Sequence, residues 1–153
     1  VMEPADPLAH GLPQETPLGA QRLTVAPLFH ADDPDARVAG RLVDTGRPGL
    51  VVKRQDGWTS VYCSAMTLPQ GLMRNLARAA GVHVWLETDD ALYTDGQYVG
   101  LHAATDGTKT LTLPGPLRVI DAISGQPVPC DGATVHLPMK QAETVLLRLE
   151  PME

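Results

Sequence analysis

GLVVKRQDGWTSVYCSAMTLPQGLMRNLARAAGVHVW, residues 49–85, is the most ordered stretch of the chain and decides its fold. It reads as a strand, a tight turn, a second strand, one helix and a third strand. Leu50, Val51 and Val52 form a short apolar run, Gln55-Asp56-Gly57 is turn chemistry, and residues 58–63 are rich in aromatic and β-branched side chains, so a hairpin is expected. Thr67 offers a hydroxyl cap, answered by Gln70, with Pro69 in the first turn and Gly81 past the end. Leu72, Met73, Leu76, Ala77 and Ala80 then recur at helical spacing, which predicts one amphipathic helix over about residues 68–80, packed on the sheet. Residues 82–86 supply the third strand.

Upstream, residues 1–28 carry Pro4, Pro7, Pro13, Pro17 and Pro27 and few periodic apolar positions, which reads as an extended proline-rich arm. A strand interrupted by Pro27 is expected at 23–29, and another at 36–43. Downstream, short candidate strands at 91–94, 98–104, 109–113, 117–123, 133–137 and 144–149 alternate with turns such as Thr94-Asp95-Gly96 and Ser124-Gly125. This spacing predicts a mainly β chain, an antiparallel β-sandwich with one helix. Three parts follow: the arm at 1–28, a hairpin-helix lobe at 29–87, and a C-terminal sandwich lobe at 88–153.

Eighteen acids against twelve bases give the 153-residue chain a net charge of −6 without a basic run, which disfavours a nucleic-acid surface. No apolar run is long enough to span a bilayer and no signal-like segment is visible, so a soluble chain is expected, cytoplasmic rather than secreted. Cys63 and Cys130 stand outside any metal-spaced pair and read as separate thiols, with a disulfide between them left open. The chain begins with Val1 rather than Met, which reads as a piece excised from a longer polypeptide.

No catalytic constellation is visible. His10, His30, His83, His102 and His136 lack the convergence that a metal site needs, and His83 and His102 read as structural histidines in strands. Asp32-Asp33, Glu87 and Asp89-Asp90 could supply the two carboxylates of glycoside hydrolysis, but they read as solvated turn residues. Ser60 and Ser64 lack the glycines of a nucleophile elbow, and a Cys63 nucleophile served by His83 or His102 is weakly supported. No cofactor motif is present either. Among the aromatics Trp58, Tyr62, Trp85, Tyr93 and Tyr98, three are singled out as glycan contacts, Trp58, Tyr62 and Trp85, with Trp58 expected to be exposed beside its turn.

GRPGLVVKR at 46–54, DGWTSVYCSAMTLPQGLMRNLARAAGVHVW at 56–85 and DDALYTDGQYVGLHAATDGTKTLTLP at 89–114 resemble the C-terminal portion of glycoside-hydrolase-type proteins related to the family 42 β-galactosidases. The resemblance continues through Val119, Asp121 and Gly125 and more loosely to 143–147, covering about two-thirds of the chain. In such proteins a catalytic barrel precedes an amidotransferase-like domain and a small β domain. What the resemblance implies is the end of an α/β lobe followed by a small all-β lobe, without the barrel's catalytic glutamates. The expected role is a non-catalytic accessory module, docking on the catalytic domain of its parent polypeptide or on another subunit. The alternative is a carbohydrate-binding module that uses Trp58.

Overall fold

The computed structural model describes residues 1–13, 16–19 and 26–152, which fall into two compact units, Val1–Gly81 and Val82–Glu153. The strand expected at 23–29 begins outside the described residues, and Leu28 and Phe29 are exposed and belong to no strand.

In the first unit, β1 (Arg37–Arg41), β2 (Pro48–Arg54) and β3 (Thr59–Cys63) form an antiparallel sheet in that order. The hairpin stands where its residues predict it. Gly57, at φ +79°, takes the left-handed conformation that glycine adopts without a Cβ clash, and the Gln55 N–H donates to the Trp58 carbonyl at 2.8 Å. Alternation sends Leu50, Val52 and Cys63 to one face, where α1 (Gln70–Ala79) lays Leu72 and Leu76 over them.

The helix starts later than its capping signature suggests. Pro69 is the N-cap and no side chain caps it, so Thr67 does not act as expected. Proline disfavours helical geometry at the residue before it, which keeps Leu68 out of the helix. The apolar face is also narrower than the spacing implies, since Leu72 is fully buried while Met73 is 52% exposed.

The proline-rich beginning of the chain is built into this unit. Met2 and Leu8 are buried in its core, and a 3-10 turn at Pro7–Ala9 is capped by Asp6, which accepts the Leu8 N–H at 2.9 Å and pairs with Arg37. Asn75 of α1 donates to the carbonyls of Leu8 and His10, both at 2.8 Å, fastening that turn to the helix.

The second unit is a sandwich. β4 (Ala91–Thr94), β5 (Tyr98–His102), β7 (Leu117–Asp121), β8 (Pro127–Val128) and β11 (Thr144–Pro151) form one antiparallel sheet in the order β4-β5-β11-β7-β8. β6 (Gly107–Thr112), β9 (Cys130–Asp131) and β10 (Thr134–Met139) form the other, ordered β6-β10-β9. Between them lie Val99, Leu101, Val119, Leu147 and Leu149 from the first sheet and Leu111, Val135, Leu137 and Met139 from the second. The chain is thus mainly β with antiparallel sheets and, among the described residues, one α-helix, as its pattern predicts. Residues 82–86 make no strand. Their backbone makes a bridge from Leu86 to Leu111 and accepts the Thr112 N–H at the Trp85 carbonyl.

Candidate functional site

The face of the first sheet turned away from α1 carries the most polar chemistry near an expected contact residue. On β2, alternation turns Val51 and Lys53 to this face, opposite Tyr62 and Ser60 of β3. The segment before β1 lies over one side of it, held by the Ala31 N–H on the Pro48 carbonyl at 3.0 Å. Together they shape a groove of about 350 Å³ lined by His30, Asp32, Asp33, Lys53, Ser60 and Tyr62.

Lys53 Nζ donates to Asp33 Oδ2 at 2.6 Å across this groove. That bond, with the Asp35 N–H on the other carboxylate oxygen at 3.0 Å, holds the Asp33 carboxyl below its usual range. The same contact pushes the Lys53 ammonium up, so both stay charged at neutral pH. His30 Nε2 lies 3.0 Å from Arg47 Nη1. The groove therefore offers a neutralised ion pair, hydroxyls and an imidazole, which suits hydrogen bonding to a polar, uncharged ligand.

Of the three expected contacts, two belong to this face. Trp58 precedes β3 by one residue and continues its alternation with Ser60 and Tyr62; it is 60% exposed, and Tyr62 is 38% exposed. Four residues of strand separate them by about 13 Å. Trp85 belongs to the second unit, where it is half-buried against the core with its ring 5.1 Å from that of His83 in an edge-on contact. Two aromatics left out of that set are more open than Trp85. Tyr93, 76% exposed, and Tyr98, 40% exposed, stand on the neighbouring strands β4 and β5. Their positions at the two ends of the Thr94-to-Gln97 turn are the signal that marks them as neighbours.

Asp90 departs from the reading of a solvated turn acid. Its side chain is only 1% exposed and pairs at 2.9 Å with Lys109 Nζ, whose side chain is 3% exposed. Asp90 also accepts from Thr88 Oγ1 at 2.5 Å and from the Ala104 N–H at 2.7 Å. Burial pushes this carboxyl up, but the bonds from Thr88, Lys109 and Ala104 outweigh it and leave it below the usual range. Lys109 shares a strand face with Leu111, and that alternation is the signal for its burial.

His83 bonds the Thr112 carbonyl at 2.8 Å and His102 Nδ1 meets Thr144 Oγ1 at 2.7 Å, each on its own unit's backbone or strand partner. Among the described residues no three His, Cys, Asp or Glu side chains converge as metal ligands would. Both cysteines are free. Burial pushes the Cys63 thiol up, opposite to the shift that makes a cysteine nucleophilic. No helix among the described residues is long and apolar enough to cross a membrane.

No protein-family model and no curated protein matches the chain. Among solved structures it is similar to the β-galactosidase from Bacillus circulans sp. alkalophilus, at 21% identity and a TM-score of 0.48, over 74% of this chain and 18% of that one. It is also similar to the cold-adapted β-galactosidase from Rahnella sp. R3, at 16% identity and a TM-score of 0.39, over 75% of this chain and 17% of that one. The chain spans less than a fifth of the length of either.

Proposed function

We propose that the chain is a non-catalytic accessory module of a carbohydrate-active enzyme, which docks on a catalytic domain or another subunit. The observation that carries this reading is the edge of the first sheet. β3 is uncharged and exposes Val61 at 40% on the helix side and Tyr62 at 38% on the other face, with Trp58 at 60% just before it, so this edge strand shows large apolar side chains to both sides. The sequence resemblance of residues 46–114 supports the carbohydrate-active parent. The purified chain is expected to release no nitrophenol from nitrophenyl β-galactoside above the rate of buffer alone. Clear hydrolysis that persists through successive purification steps would overturn the reading.

A second reading rests on Trp58 itself, exposed on the same face as the polar groove. An aromatic ring there can stack on the apolar face of a sugar while the groove bonds its hydroxyls. In this reading Trp58→Ala weakens the binding of a β-galacto-oligosaccharide about tenfold in a calorimetric titration, the loss of one good aromatic contact. Equal binding by the variant and the parent chain removes it.

A further inference from the structure

We infer that β3 pairs with the β3 of a second copy of this chain, antiparallel and centred on Val61, so that two three-stranded sheets become one. This rests on the docking reading above and names its occupant.

The phase of the hairpin ladder shows which groups are offered. The Ser64 N–H donates to the Gly49 carbonyl and the Gln55 N–H to the Trp58 carbonyl, both at 2.8 Å. Antiparallel bonding alternates, so positions 58, 60, 62 and 64 face β2. The N–H and C=O groups of Thr59, Val61 and Cys63 therefore point to the outer edge, and no described residue pairs with them there.

Among the described residues this edge lacks the devices that keep edge strands apart. β3 has no charge, no proline and no break in its register with β2. Three other edges are guarded. β1 is covered by residues 1–3, through the Met2 to Gly40 bridge and the Glu3 N–H on the Ala39 carbonyl. Pro127 and Pro129 blunt β8, and β6 turns a charged Lys109 inward.

The strand is complementary to itself. With Val61 opposite its own copy, Thr59 meets Cys63 on the helix side and Ser60 meets Tyr62 on the other, so no like charges face one another. A second observation concerns the helix side. There Val52, Val61, Leu76, Ala79 and Ala80 form the apolar part of a groove of about 940 Å³ that Asp35, Arg37, Lys53 and Arg54 also line. An added strand lays its own Val61 and Thr59 or Cys63 across the mouth of that groove, and the small side chains of Ala79 and Ala80 leave room for it.

Sedimentation equilibrium of the 153-residue chain, from low to high micromolar concentration, tests this. The expected result is a reversible rise from the 16.4 kDa monomer to twice that mass. Val61→Lys and, separately, Thr59→Lys should each raise the dissociation constant at least tenfold while far-ultraviolet circular dichroism stays unchanged; Thr59 is exposed, so its variant keeps the test alive if the other misfolds. In a Cys63→Ser, Cys130→Ser background, Val61→Cys should crosslink to its copy on mild oxidation, because directly bonded antiparallel residues sit about 5.5 Å apart. A chain that stays monomeric throughout, a dimer untouched by both lysines, or a dimer that Val61→Cys fails to crosslink overturns the proposal. A monomer that also leaves nitrophenyl glycosides intact overturns the self-pairing alone, whereas hydrolysis overturns the accessory reading itself.

Discussion

Asp90→Asn is expected to cost the second unit about 3–5 kcal/mol, the usual penalty for leaving half of a buried ion pair without its partner. Asp90 and Lys109 lie 2.9 Å apart with side chains 1% and 3% exposed, so water cannot take over for the missing charge. In the Asn variant Lys109 keeps neutral acceptors, Thr105 Oγ1 at 3.1 Å and the amide oxygen at position 90, but no counter-charge. Lys109→Met strands the carboxylate instead, although Thr88 and the Ala104 N–H still hold it. The double variant should lose less than the sum of the two, because it leaves no unpaired charge. Urea unfolding followed by Trp85 fluorescence, in a Trp58→Phe background, reads this unit alone. Additive losses would show that the two charges do not act as a pair.

The same contact sets an acid limit. Asp90 is held below its ordinary value by bonds that outweigh its burial, and Asp95 and Asp121 are lowered by the backbone N–H groups of Tyr98 and Gln97 and of Ser124 and Ile123. A carboxylate lowered in the folded state binds its proton more readily when unfolded. Its contribution is therefore complete above the unfolded value, near 3.9 for a model aspartate, and is lost as pH falls through the folded value. Stability should fall below about pH 4, and Asp90→Asn should flatten that slope.

Leu50→Ala is expected to cost the first unit about 2–5 kcal/mol, through lost burial and the cavity left behind. Leu50 is fully buried on the central strand and packs with Met2, Leu8, Ala39 and Leu72, the buried residues of a small core. Few neighbours can close over the hole, which places the cost toward the upper end of that range. Met73→Ala on α1, at a position 52% exposed, should change stability by less than about 0.5 kcal/mol. Trp58 fluorescence in a Trp85→Phe background follows both. Similar losses at the two positions would mean that α1 buries a wider face than Leu72 and Leu76.

Local chemistry made part of this fold readable. The Gln55-Asp56-Gly57 turn, the spacing of Leu72 and Leu76 and the Asp-Gly turns of the second unit are short-range signals, and each marks an element that forms. Signals that depended on partners far along the chain were harder to read. Residues 82–86 look like a strand, yet their backbone finds only the Leu111 bridge and the Thr112 bond. Thr67 looks like a cap, and Pro69 overrides it. The groove depends on residues 30–36 folding over β2, which no local pattern announces, so the pairing of Asp33 with Lys53 is not legible in the sequence. Asp90 reads as a turn acid because its cation arrives from β6, although Lys109 betrays itself by alternating with Leu111.

The order of the second unit's large sheet has a consequence for how the chain is made. β11 lies between β5 and β7, so neither has its central neighbour until residues 144–151 exist. On a ribosome, β4 and β5 emerge early as a hairpin and must wait, with Val99 and Leu101 uncovered, for the strand that completes their sheet. The first unit carries no such delay, because β1, β2 and β3 pair in the order in which they are synthesised.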